Sequence, residues 1–318
     1  MSKINPSGRD ALSVPGARIL AEGLRFPEGP VMLPDGRIAL VEIEAGRITA
    51  IGPDGGKSAL ATPGGGPNGL ALGPDGMLYC CNNGGFEWIE AEGVLRPHGQ
   101  PPDYAGGRIE KIDPATGEVT RLYEQCDGRR LRGPNDLVLD GKGGFWFTDL
   151  GKVRARDREH GTVYWAALDG SQIIEAAHPV PGGANGIGLS PDGGTLYVAE
   201  TETGRLWKFD ILGPGELRKD PWPSPHGGQL LCQFPGFRRL DSLAVTAAGN
   251  ICVATLVAGE ITTVSPQGEI IDVVRCDERM PTNICFGGPD RRTAYITLSN
   301  TGRLLEMPWK EPGLALVA

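Results

Sequence analysis

Six acidic or amide residues, Glu28, Asn68, Asn135, Asn185, Asp241 and Asn283, stand at the same place in six copies of one pattern. The copies read PEGPVMLPDGRIALVE from Pro27, PNGLALGPDGMLYCC from Pro67, PNDLVLDGKGGFWFTD from Pro134, ANGIGLSPDGGTLYVAE from Ala184, LDSLAVTAAGNICVAT from Leu240 and TNICFGGPDRRTAYIT from Thr282. Oxygen donors repeated in register imply a ring of ligands. None is His or Cys, so the chemistry suits one hard divalent cation: Ca²⁺ first, then Mg²⁺ or Mn²⁺, with Zn²⁺ behind because it more often recruits imidazole. Glu28 and Asp241 bring two charges that balance such an ion, and Asn135 and Asn185 bring neutral amide oxygens. Turn capping is the competing account of the asparagines. It explains Asn-Gly at 68–69 and 185–186, but it explains Glu28 poorly, because Glu is not a turn residue. Glu28, Asn135, Asn185 and Asp241 are therefore the predicted metal ligands, and Asn68 and Asn283 stay open between capping and a further contact.

Something must bring residues so far apart together. Each copy runs from the polar residue through alternating apolar residues to a turn and a second alternating run, the signature of paired strands. PDG at Pro34, Pro53, Pro74 and Pro191 reads as a two-residue hairpin turn. Glycine-led strands follow, among them GRITAIGP from Gly46 and GRLWKFDI from Gly204. The steps between marked residues, 40, 67, 50, 56 and 42, are near or above propeller blade lengths. The predicted fold is all-β: a six-bladed β-propeller with a central metal-binding channel. Residues 15–24 are expected to add a strand to the last blade and close the ring, leaving no free edge. Residues 1–14 read as an N-terminal tail and 15–318 as a single propeller domain. Because innermost strands run along the axis, the marked residues, placed just before them, are expected to ring one mouth of the channel.

The remaining composition removes alternatives. A net charge of −8 over 318 residues argues against nucleic acid or an anionic membrane as partner. Nothing approaches eighteen consecutive apolar residues, and the N-terminus lacks a signal-peptide pattern. The seven cysteines are odd in number and lack CxxC spacing, so they read as small buried hydrophobes in a reducing, cytoplasmic setting. No G-x-S-x-G occurs, and GGGPNG at 64 lacks the Lys-Ser/Thr of a phosphate loop. His160 and His226 fall in long segments suited to a lid and read as solvated loop residues. Trp146 reads as core, while Phe86 and Trp88 in NNGGFEWIE are candidates to line a pocket.

FPEGP at Phe26, GPNDLVLD at Gly133, ANGIGLSPDGGTLYVAET at Ala184 and the D-x-LAV segment at Asp241 resemble, in this order and spacing, the senescence-marker-protein/gluconolactonase family, which includes regucalcin and luciferin-regenerating-enzyme-like proteins. The resemblance runs from about Arg18 to Pro308. It implies a six-bladed fold, one divalent cation in the channel and hydrolysis of sugar lactones. The metal ligands it implies are Glu28, Asn135, Asn185 and Asp241, and Asp136 follows a ligand Asn where relatives often have an acidic substrate contact. Arg132 lies near, but offset from, an arginine position used for sugar hydroxyls. The chain departs from the pattern at Asp241-Ser242, where Asp-Gly is frequent, and in the mixed-charge stretch KVRARDREH at 152–160.

A cation at such a mouth polarises a carbonyl oxygen and lowers the pKa of water, and lactone opening also needs a base beside that water. Asp241 is the first candidate base, with Asp136 or Glu28 next. Asn68, Arg132, Asn283, Phe86 and Trp88 are the candidate substrate contacts. The leading reading is a metal-dependent lactonase acting on a small lactone or ester. The alternatives are a phosphotriesterase-like hydrolase using the same metal and a non-catalytic calcium- or ligand-binding propeller.

Overall fold

A computed structural model describes residues 8–315. Six sheets of at least four antiparallel strands stand around one axis. Blade one comprises Pro27–Met32, Ile38–Glu42, Arg47–Ile51 and Lys57–Ala61, and blade two Pro67–Leu72, Leu78–Asn82, Arg108–Ile112 and Val119–Tyr123. Blade three holds Pro134–Leu139, Gly144–Asp149, Gly161–Ala167 and Ile173–Val180, and blade four Ala184–Leu189, Thr195–Glu200, Arg205–Gly213 and Gln229–Gln233. Blade five holds Arg239–Val245, Ile251–Leu256, Glu260–Val264 and Ile270–Arg275. Blade six has Pro281–Gly287, Thr293–Leu298 and Arg303–Pro308, and its fourth strand is Arg18–Ala21, which pairs Ile19 with Leu305. The ring thus closes through the N-terminal strand, as the sequence predicted. The only helix among the described residues is the short 3-10 turn Ala11–Ser13, and no helix is long and apolar enough to cross a membrane.

Of the stretch read as a tail, residues 1–7 lie outside the described residues. Arg9–Asp10 pair in parallel with Val274 and Arg275 on the outer edge of blade five, and Ala11 is buried.

Both faces of each blade are covered by neighbouring blades, so the period of two sorts side chains between two cores rather than between core and solvent. In Gly144–Asp149, Phe145 and Phe147 face a cluster containing Tyr79 of blade two, while Trp146 faces one containing Val198 and Trp207 of blade four. Phe147 stacks on Tyr164 at 5.0 Å between centroids. The turns differ from the expectation in length. Leu33 N–H donates to the Arg37 carbonyl across the three residues Pro34, Asp35 and Gly36, with Gly36 at φ 86°. This is the three-residue hairpin loop that ends in a left-handed residue, and Asp35 secures it by accepting from Arg37 N–H at 3.0 Å.

Candidate functional site

Every innermost strand is bulged near its start. The register slips between Glu28 and Val31, Pro67 and Leu70, Pro134 and Leu137, Ala184 and Ile187, Leu240 and Leu243, and Pro281 and Asn283. The six marked residues stand at these slips, so they lie inside the strands rather than ahead of them. A bulge puts an extra residue on one strand and re-aims its side chain. Repeated six times around an axis, it gathers the marked residues around the channel, each no more than 9% exposed. In blades one, two and four the residue after the bulged position is a glycine that meets the next blade. A Cβ on Gly186 would stand 2.6 Å from the Asp241 carbonyl oxygen and 2.8 Å from Leu243 N. Gly29, at φ 50°, is pressed as closely against Asn68 and Leu70. The glycines let neighbouring inner strands approach, and that approach sets the ring's diameter.

Two cavities open at opposite ends of the channel. The one at the strand starts, about 270 Å³, is lined by Glu28, Asn68, Asn135, Asn185 and Asp241. The one at the strand ends, about 310 Å³, is larger but lined mainly by apolar side chains such as Met32, Leu72, Leu139 and Phe286. Only the first gathers the donors, so chemistry points there despite its smaller volume. Asp136 and Asn283 border the second cavity instead. Asn283 Nδ2 donates to Glu28 Oε2 at 2.7 Å, and Gly29 N–H donates to the same oxygen at 2.6 Å. Asn185 Nδ2 donates to Thr201 Oγ1 at 3.2 Å, while its buried Oδ1 has no partner.

Three carboxyl groups are buried together here. Burial raises Glu28 to about 7 against hydrogen bonds from Asn283 and Gly29 that favour its charged form. Burial, then the charge of Glu28, raises Asp136 to about 7. Burial and Glu28 raise Asp241 well above the carboxylate range, with the Asn185 amide opposing. Among the described residues none of the three makes an ion pair. No cluster of three or more His, Cys, Asp or Glu side chains forms a metal site among the described residues, and the predicted ligand set, half amide, contains only two such side chains.

The other predicted residues divide. Phe86 lines the donor cavity, whereas Trp88 packs behind it, 5.8 Å from Phe86 and 5.1 Å from Phe26 between centroids. Arg132 stays outside, its half-exposed guanidinium 3.3 Å from Glu159. His226 is buried against Trp207 in blade four, and burial holds its pKa down at about 4; it is neither solvated nor near the donors. The cysteines are free, five of them buried. Sequence reasoning missed Lys152, Arg158 and Arg239, all lining the donor cavity. Lys152 is 2% exposed, donates from Nζ to the Gly85 carbonyl at 2.7 Å, and sits 4.5 Å from the Phe86 ring and 4.9 Å from that of Tyr104. The signal was KVRARDREH, which crosses the mouth between the second and third strands of blade three. Also unread was the residue closing the second strand of several blades. Asp149, for example, accepts backbone N–H groups of Arg132, Gly133 and Gly151 at 2.7, 2.7 and 2.8 Å, fixing the approach to the Asn135 bulge.

A sequence model of the SMP-30/Gluconolactonase/LRE-like region matches residues 26–300. The chain belongs to this family. Among its relatives, the diisopropyl-fluorophosphatase of Loligo vulgaris is 28% identical over 60% of this chain, and the match spans 62% of that enzyme. The 6-deoxy-6-sulfogluconolactonase of Pseudomonas putida is 29% identical over 64% of this chain and 80% of its own length. The structure of a Xanthomonas campestris gluconolactonase superposes with a TM-score of 0.72 at 21% identity, covering 92% of this chain and 89% of that one. Calcium-binding regucalcin of Agrobacterium tumefaciens gives 0.72 at 20%, covering 94% and 97%. At these identities the two structures speak for the fold. The relatives of this chain thus include a sulfogluconolactonase and a fluorophosphatase.

Proposed function

We propose that the chain is a divalent-metal-dependent lactonase, with one cation, Ca²⁺ first, held by Glu28, Asn135, Asn185 and Asp241. The observation that carries this is the buried Asn185 Oδ1 without a partner, beside the buried carboxyl groups of Glu28 and Asp241 that make no ion pair. Such groups are costly to bury unless a ligand completes them, and all-oxygen donors fit a hard ion. When bound, the ion would polarise a carbonyl and lower the pKa of a water. Asp241 takes the proton of the attacking water as its oxygen bonds to the carbonyl carbon, and returns it to the ring oxygen as the carbon–ring-oxygen bond breaks, giving the hydroxy acid. Asp136, bordering the opposite cavity, adds negative potential beneath the ring. Asn283 fixes the rotamer of Glu28 through its 2.7 Å hydrogen bond. The Asn68 amide contacts the substrate's polar edge and Phe86 its ring. Trp88 supports Phe86, and Arg132 serves the substrate only through its contact with Glu159. The seven free cysteines support a cytoplasmic setting.

A pH-stat assay over a lactone panel, with and without EDTA, tests this. Lactone hydrolysis that stops on chelation and returns with Ca²⁺ supports it. The similarity to a fluorophosphatase favours the second reading, so phosphotriesters and phosphofluoridates belong in the same panel. Turnover of those alone would replace the lactonase reading, and Ca²⁺ binding without any turnover would leave a binding propeller.

A further inference from the structure

The wall of the donor cavity carries more positive charge than its own residues neutralise. Arg158 and Arg239 converge on one carboxylate: Glu202 Oε1 lies 3.4 Å from Arg158 Nη1 and also pairs with Arg239 Nη2. The Nε atoms of both arginines are buried and have no partner. Lys152 lines the same cavity, and its Nζ has one backbone carbonyl and two aromatic faces around it but, among the described residues, no ion-paired carboxylate. Asp149, whose carboxyl group accepts three backbone N–H groups, and Glu159 attract it only from behind the cavity lining.

A divalent ion between Glu28 and Asp241 would balance those two charges, with Asp136 beyond them at the opposite cavity, and Glu202 cancels one of the three wall cations. Among the lining residues two cations are left over, Lys152 being offset in part from behind by Asp149 and Glu159, and with the buried Nε atoms of Arg158 and Arg239 partnerless an oxyanion is the complementary ligand. The guanidinium fork suits planar and tetrahedral oxyanions alike. The lining beside these cations, with Phe26, Phe86, Leu256 and Met280, is apolar and suits a ring carbon skeleton.

We infer that the substrate of this site carries an anionic substituent, a carboxylate, sulfonate or phosphate, seated on the Lys152, Arg158 and Arg239 wall while its lactone carbonyl faces the donor ring. The inference rests on the lactonase reading and narrows it to an anionic lactone.

The test compares gluconolactone with derivatives whose terminal hydroxymethyl group is replaced by a carboxylate, or carries a sulfonate or phosphate. Calcium-loaded protein is expected to favour at least one of the three by ~30-fold or more in kcat/KM, the scale of one or two hydrogen bonds to a charged group. The identity of the favoured derivative names the oxyanion. Arg158→Gln and Lys152→Met should each shrink that preference ratio about tenfold, through KM rather than kcat, and Arg158→Lys should restore part of it. Equal kcat/KM for neutral and anionic lactones, or a preference that neither substitution changes, overturns the inference. If none of the lactones is hydrolysed, the lactonase reading fails by itself. Calorimetric titration with cyclic ethers bearing the same substituents then decides: anion-selective binding lost in Arg158→Gln upholds the inference, and its absence ends it.

Discussion

Burial raises the pKa of Glu28 and Asp136, which makes the stability of the metal-free protein fall as pH rises, and at the proposed metal site a divalent cation would compete with those protons. Glu28 is held at about 7 against an ordinary 4.5, and Asp136 at about 7 against 3.8. An acid whose folded pKa is raised contributes stability that is complete below its ordinary pKa and gone above its folded one. The window therefore runs from about pH 4 to about pH 7. At about 1.4 kcal/mol for each pKa unit, Glu28 accounts for roughly 3 kcal/mol and Asp136 for roughly 4 kcal/mol. His226 opposes them over part of this range. Its pKa falls from 6.5 to about 4 on burial, so its contribution grows as pH rises between those values. Comparison with Glu28→Gln, both proteins stripped by EDTA, cancels His226. Relative to wild type the variant should gain roughly 3 kcal/mol between pH 4.5 and pH 7.5, which for a domain of this size is about 4–5 °C in melting temperature. Ca²⁺ should raise the wild-type melting temperature far more at pH 7.5 than at pH 5, since at the lower pH it must displace protons. Thermal melts followed by circular dichroism across these conditions suffice. A difference between the two proteins that stays level across pH, or a calcium shift indifferent to pH, would refute the claim that Glu28 is a buried proton and metal site.

Asp241→Asn should lower lactone kcat by ~10²–10⁴-fold with the β-sheet spectrum intact; unchanged turnover would remove Asp241 as base. Asn283→Leu removes the amide that holds Glu28 Oε2, so calcium affinity measured by calorimetry should drop about 10–100-fold, and an unaltered affinity would make Asn283 a spectator. Gly186→Ala puts a methyl group against the Asp241 carbonyl and Leu243 N, with an expected loss of ~1–3 kcal/mol in urea unfolding and weaker calcium binding. Deleting residues 1–22 removes the strand Arg18–Ala21, and exposing the edge Arg303–Pro308 should turn the protein into aggregates on size-exclusion chromatography.

The sequence revealed the propeller because its signal is repeated. Six alternating runs, each opening on a polar residue, leave few ways to bury two faces per strand. The register of Glu28 and its five counterparts was visible for the same reason, but their setting was not. A bulge is a backbone slip, and nothing in PNGLAL or ANGIGL distinguishes a turn before a strand from a slip inside one. The PDG loops at Pro34, Pro53 and Pro74 exceed the two-residue reading by one residue, and that at Pro191 by two, because the left-handed glycine joins the loop instead of the strand. Arg132 and Trp88 failed to reach the donor cavity because adjacency in sequence to Asn135 or Phe86 does not fix side-chain direction. His226 looked solvated in a polar stretch, yet the chain folds back and packs it on Trp207 and Phe209. Each of these depends on a contact between segments that share no period.

That division has a physical consequence for how the site works. The donors hang on bulges held by contacts between inner strands, such as Gly186 against Asp241, whereas Lys152 and Arg158 stand on a connection outside the blade strands and Arg239 opens an inner strand itself. Lys152 is gripped by another connection, not by the ring: its partners Gly85, Phe86 and Tyr104 all belong to the long segment 83–107 of blade two. The wall can therefore be rebuilt without moving the floor, because no donor shares a side-chain hydrogen bond with Lys152 or Arg158. Coupling between them is left to Coulomb forces alone, which in so small a cavity act across its width and weaken with salt only where water enters. Arg239 is the exception, since it lies two residues from Asp241 and its charge draws that carboxyl's pKa down. Substitutions at Lys152 should consequently combine additively with Asn283→Leu in calcium affinity, within ~0.5 kcal/mol, while those at Arg239 should not. A double-mutant cycle read by calorimetry separates the two, and strong coupling at Lys152 would mean that the connections, and not only the bulges, set the geometry of the donor ring.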